Sequence, residues 1–170
     1  MMRFELLAVA VAVLACASDL RTRRIPNALT FGAAIAAISI HAAVNGVDGI
    51  LIGVAGWLVG IALFFPFFAL GGLGGGDVKL LGAIGACLGP ASTIFVGFYA
   101  AIAGGVLAII VALRSRYLGQ ALRNLRFLAT FWLTVGFKPV EELTLDRSQA
   151  PRLAYAIPVL VGLMVTIWPR

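Results

Sequence analysis

The sequence predicts an all-α polytopic membrane protein, a bundle of six transmembrane helices with both termini outside. Three observations predict it. Hydrophobic residues make up 62% of the chain and charged residues only 12%, whereas a soluble domain is near half apolar and a quarter charged. The apolar residues gather in long runs, and the basic residues fall between them. Counting the runs as six crossings puts nearly all of those basic residues on one side, as the positive-inside bias requires.

The runs can be taken in order. Residues 4–18 form the first. Arg3 before it is offset by Glu5, while Arg21, Arg23 and Arg24 follow it. A cleaved signal peptide carries its positive charge in front, so this run is read as a retained helix whose C-terminal end is cytoplasmic. Residues 28–44 form the second run, ended by Asn45-Gly46 and Asp48, and 49–70 the third, with a kink expected at Pro66. The run 78–113 would be about 54 Å long as one helix, too long for a hydrocarbon core of about 30 Å. Gly89-Pro90 divides it, with Ser92 as the expected cap of the second half. Residues 153–168 form the last run. A single helix over 78–113 would move Arg114, Arg116, Arg123, Arg126, Lys138, Arg147 and Arg152 to the face opposite Arg21, Arg23, Arg24 and Lys79. Two helices keep them together, leaving only Arg3 and Arg170 outside. The loop 114–152 mixes arginines with Leu, Phe and Trp132, and its most apolar part, 127–137, is too short to span. A helix lying in the cytoplasmic interface is expected there, while Glu141, Glu142 and Asp146 read as solvated acids. The 20 glycines are scattered through the apolar runs, where small residues serve close helix packing. The length suits one membrane domain over 1–170.

Composition also excludes functions. The net charge of +6 belongs to topology and to contact with anionic lipid rather than to nucleic acid. The two cysteines, Cys16 and Cys87, lie inside apolar runs with no CxxC, so they act as small apolar side chains. His41 has no second His or acid at ligand spacing. The expected partners are the lipid bilayer and a substrate. No metal or cofactor is expected, and the sequence assigns no oligomeric state.

Few polar groups lie at membrane depth. Asp48 sits in a turn and needs no further role. Asp19 and Asp77 both fall at cytoplasmic ends of apolar helices, where two carboxylates from separate helices can meet inside the bundle. Each taken alone can equally be structural, pairing with a nearby basic residue or with turn backbone, yet ionisable groups in membrane segments are functional candidates. Asp77 ends the run Gly71-Gly72-Leu73-Gly74-Gly75-Gly76, which lets a substrate backbone approach closely. The run is no phosphate cradle, because GxxxxGK[ST] does not occur. Asp19 leads into Leu20-Arg21-Thr22-Arg23-Arg24-Ile25-Pro26-Asn27, where Pro26 opens the next helix and Asn27 is expected to cap it. Lys79 reads either as a group that steers substrate or as a lysine snorkelling to the interface.

These two segments together resemble the prepilin peptidases, a family of GxGD aspartic peptidases. Gly74-Gly75-Gly76-Asp77, followed by Val78-Lys79, is similar to the GxGD element. Asp19 through Ile25-Pro26-Asn27 is similar to the family's first-aspartate element. Tyr155-Ala156-Ile157-Pro158 is a weaker echo of a P-Y-A segment, with Ala154 in place of the proline. The added region with paired CxxC motifs found in long family members is absent, so the chain resembles the short, peptidase-only members associated with Flp (Tad) pili. The resemblance implies an inner-membrane aspartic endopeptidase that removes the leader of a prepilin at the cytoplasmic face, with Asp19 and Asp77 sharing a proton and a water. Asp19, at a helix C-terminus, is the acid expected to hold the proton, because a negative charge there is disfavoured by about 1 kcal/mol. Asp77 is placed just before a helix N-terminus, where negative charge is favoured. A GxGD protease that cuts within transmembrane helices and a non-enzymatic membrane scaffold or transport component are the rival readings.

Overall fold

A computed structural model describes residues 2–136, 138, 140 and 153–168. The expectations for Phe137, Glu141, Glu142, Asp146, Arg147, Arg152 and Arg170 lie outside the described residues. Among those described the structure is all-helical, with six helices. They are α1 (Met2–Thr22), α2 (Asn27–Ala69), α3 (Gly75–Leu88), α4 (Pro90–Arg114), α5 (Leu118–Val135) and α6 (Ala156–Ile167).

The second and third apolar runs are one continuous element with a sharp reversal inside it. Gly46, at φ 59° and ψ −135°, is the one non-helical residue within α2. That dihedral pair is open to glycine and strained for other residues. The two halves fold back antiparallel, so that Gly53 stands against Ile38 and Gly49 against the His41 carbonyl. Pro66 lies inside the last turns of α2. Its dihedrals stay helical, and the helix ends one turn later as Leu70 N–H donates to Pro66 O. The run 78–113 divides at Gly89-Pro90 as expected. Ser92 is not the cap of α4, because Gly89 takes that place with Pro90 at the first helical position. Thr93 Oγ1 donates back to Gly89 O at 2.6 Å.

α3 is the axis of the bundle. Val78 and every residue from Leu80 to Cys87 are buried. α2 packs on it through glycine. Gly56 and Gly85 meet backbone to backbone, and Gly60 lies on the Leu81 carbonyl. A Cβ at Gly56 would land on the Gly85 carbonyl, so the close approach depends on its absence, as in small-residue packing between membrane helices. Gly162 of α6 fits on Val96 and Ala100 of α4 in the same way. Trp57 lies against Gly82 in the middle of this packing. Cys16 and Cys87 are free and buried.

Large apolar side chains such as Leu14, Ile35, Leu58, Phe98 and Ile109 are exposed around the outside. Among the described residues two helices, α2 and α4, are long and apolar enough to cross a membrane. α5 forms close to where a cytoplasmic helix is expected. It leaves Leu122, Leu125 and Leu133 exposed, with Arg126 one turn from Leu122 on the same face.

The reversals at Gly46 and Gly89 define two ends of the bundle. One end gathers the α1–α2 and α2–α3 connections and the last turn of α4. The other holds Phe4, Gly46, Gly89 and Ile167.

Candidate active site

Asp19 lies in the last turn of α1, which runs from Met2 to Thr22. The chain then leaves the helix through Arg23, at φ 54°, a left-handed conformation that ends helices. Hydroxyl groups fix this exit. Ser18 Oγ donates to Arg24 O at 2.8 Å, and Thr22 Oγ1 reaches Ser18 O at 3.0 Å and Arg24 O at 3.2 Å. The Ile25-Pro26-Asn27 segment is thereby turned back over the start of α3.

Two contacts dock it there. Ile25 packs on Gly76, where an added Cβ would sit 3.2 Å from Ile25 Cβ. Lys79 Nζ donates to Asn27 Oδ1 at 3.0 Å and lies 5.6 Å from the centroid of the Phe31 ring. Asn27 therefore does not cap α2. Pro26 is the cap residue, with no side-chain bond, and the Asn27 amide oxygen is committed to Lys79. Lys79 is held across the α2–α3 seam by that bond.

Asp77 sits within the first turn of α3, at its third residue rather than just before the helix, because Gly75 and Gly76 are already helical. Its carboxylate reaches back toward Gly74, with Asp77 Oδ2 3.1 Å from where a Gly74 Cβ would be. An acid at the third helical position, turned toward the cap residue, has the placement of the back-reaching half of a capping box.

The result is one cavity of about 400 Å³ lined by Asp19, Arg23, Arg24, Ile25, Pro26, Asn27, Gly74, Gly75, Gly76 and Asp77. The two carboxylates are within electrostatic reach of each other. Asp19 is only 8% exposed, and its Oδ2 is buried with no hydrogen-bond partner. A buried, unsatisfied carboxylate oxygen is costly to a fold. Facing a second carboxyl, it is suited to hold a water or a shared proton. Of the residues singled out in the sequence, Asp19, Asp77, Gly74, Gly76, Ile25, Pro26 and Asn27 come together on this cavity. Lys79 stands behind it.

Sequence reasoning missed Ser18 and Thr22. The signal was available, since two hydroxyl residues four apart flank Asp19 in the last turn of an apolar helix. Tyr155, noted only as an echo, lies in electrostatic reach of Asp77. Its ring packs edge-on to Phe64 at 5.6 Å, and its hydroxyl fits against Gly104.

A model of the type IV leader peptidase family matches residues 6–109, more than half the chain and the part that holds both aspartates. No curated protein and no solved structure matches. With that match spanning every wall of the cavity, the chain belongs to the type IV leader peptidase family, and is a membrane peptidase.

Proposed function

We propose that the whole chain, 1–170, is one membrane aspartic endopeptidase domain that removes the leader of Flp-type prepilins at the cytoplasmic face of the inner membrane. Asp19 and Asp77 are its catalytic pair. One observation carries the reading: two carboxylates from separate helices line one cavity at one end of the bundle, and one of them keeps an oxygen without a partner.

In the proposed reaction a water lies between the two carboxyls. The ionised one takes a proton from the water as its oxygen bonds to the scissile carbonyl carbon. The protonated one hydrogen-bonds the carbonyl oxygen. Collapse of the tetrahedral species breaks the C–N bond, and the amine leaves with the proton held by the base. Two such carboxyls cannot easily both ionise, so they share one proton and titrate as a pair. The glycines from Gly74 to Gly76 leave room for an extended substrate backbone beside Asp77.

The charge distribution supports the orientation, six spans with both termini outside. Arg21, Arg23, Arg24, Lys79, Arg114 and Arg116 all lie at the dyad end of the bundle, and Arg3 lies at the other. Positive residues mark the cytoplasmic side. α5, with its exposed leucines and its arginines, lies in the cytoplasmic interface in this reading.

The test is co-expression with a candidate pilin, followed by the pilin's mass. Trimming by the native chain and none by Asp19→Asn or Asp77→Asn is expected. Trimming that survives both substitutions leaves a non-enzymatic role. A cut inside the pilin's transmembrane helix, rather than before it, points to an intramembrane protease.

A further inference from the structure

We infer that the end of the bundle away from the dyad carries a binding site for a primary ammonium group. A second cavity, of about 350 Å³, opens there among α1, α2, α3, α4 and α6. It is far from the aspartates. Glu5 and Asp19 are separated by about 21 Å of helix, from the rise per residue.

Its polar lining holds Asn45 and Ser92, which can donate or accept, and three groups that accept, on Glu5, His41 and Thr166. His41 is 6% exposed, and its Nε2 lies 3.1 Å from Cys87 O. A carbonyl only accepts, so Nε2 carries the hydrogen, and in the neutral ring Nδ1 is a lone pair. That Nδ1 is buried and has no hydrogen-bond partner. Thr166 Oγ1 spends its hydrogen on Gly162 O at 2.7 Å, which leaves its oxygen as an acceptor. Among the described residues Glu5 is the one charged residue lining the cavity. Cys87 and Leu88 bring the carbonyl end of α3, and Ser92 brings the first turn of α4, so the two helix dipoles largely offset there and Glu5 sets the sign of the charge. Phe4, stacked on His41 at 3.8 Å, adds an aromatic ring.

A positive charge with several N–H donors matches this lining. A metal ion fits poorly, because no group of three or more His, Cys, Asp or Glu residues comes together among the described residues. A quaternary ammonium has no N–H for Nδ1. A primary ammonium has three donors, matching Glu5, His41 Nδ1 and Thr166 Oγ1. The same chemistry arrives as the headgroup of an ethanolamine phospholipid, whose chains would run over Ile167 and the apolar surface, or as a small free amine.

The site does not depend on the peptidase reading, and its test reads binding rather than cleavage. The full chain is purified into nanodiscs holding equal amounts of phosphatidylethanolamine and phosphatidylcholine with the same acyl chains. Lipid retained on the protein is then weighed by native mass spectrometry. At least five-fold enrichment of phosphatidylethanolamine is expected, falling stepwise through the mono- and dimethylated headgroups. Loss of the enrichment in Glu5→Gln is also expected, with helicity unchanged by circular dichroism. Displacement of the lipid by millimolar ethanolamine assigns the recognition to the ammonium alone, whereas resistance to it assigns the site to the intact lipid. Equal retention of all headgroups by the native chain overturns the proposal. The methylation series decides this without any variant, should Glu5→Gln fail to fold.

Discussion

At the far end of the bundle the chain turns on single residues, whereas at the dyad end it turns through short irregular segments. Gly46 reverses α2 within the helix, and Gly89 with Pro90 joins α3 to α4. At the dyad end the connections run through 23–26 and 70–74. They contain Arg23 at φ 54° and Gly71 at φ 77°, and hydroxyl-to-carbonyl bonds hold the first of them. A turn made by one glycine serves packing. A turn that accepts a left-handed arginine, at a cost of about 1–2 kcal/mol, and leaves a carboxylate oxygen unsatisfied is a turn under another demand. Strain and unpaired polar atoms collect where function is, and the far end's own unpaired atom, His41 Nδ1, lies at its cavity rather than at a turn.

The largest effects should separate rate from stability at the dyad end. Asp19→Asn or Asp77→Asn should each lower pilin cleavage by about 10³–10⁴-fold, the range for losing a positioned acid or base. Asp19→Asn should leave thermal stability unchanged or raised, because the buried oxygen it alters has no partner to lose. The native enzyme should show a bell-shaped pH–rate profile, since activity needs one proton on the pair and fails with none or two. A flat profile, or cleavage above a tenth of native in either variant, breaks the comparison.

A smaller effect tests how the two motifs are joined. Lys79 bonds Asn27 at 3.0 Å across the α2–α3 seam. Lys79→Met should therefore lower kcat about ten-fold with KM nearly unchanged, because a misplaced catalytic pair loses rate before it loses binding. Asn27→Ala should do the same, and the double variant should be no worse than either single one. A raised KM with native kcat would instead make Lys79 a substrate contact. Next in size come Ser18→Ala and Thr22→Ala. Each removes a net hydrogen bond of about 1 kcal/mol, and a few-fold loss of kcat is expected from each.

The helices and the two aspartates were legible in the sequence because each leaves a one-dimensional mark. Apolar runs mark the helices, Gly89-Pro90 marks a break, and an acid at the edge of an apolar run stands out. The partners of those acids were less legible. Asn27 reads as a cap by position, and only the fold shows its side chain taken by Lys79, which is far from it in sequence. Asp77 reads as lying outside its helix, since a glycine run resembles a loop until the fold shows Gly75 and Gly76 already wound into α3. The meeting of Gly56 with Gly85 follows from helix pairing, which glycine spacing alone does not specify.

The smallest expected effect on rate belongs to the far end. His41 ties α2 to the end of α3 by its bond to Cys87 O and to α1 by stacking on Phe4. His41→Leu keeps some of the bulk but leaves the Cys87 carbonyl without that partner, a cost of about 1–3 kcal/mol. The thermal midpoint in detergent should fall by several degrees, while kcat and KM for pilin cleavage at a temperature well below that midpoint stay within two-fold of native. α3 carries both the His41 bond and Asp77, about 15 Å apart along the helix axis by its rise per residue. Were the far end also part of the cleavage machinery, loosening it would change the cleavage rate as strongly as it changes stability. A rate loss of ten-fold or more with the fold intact would show that the two ends are coupled through α3, and the division between a packing end and a reacting end would have to be given up.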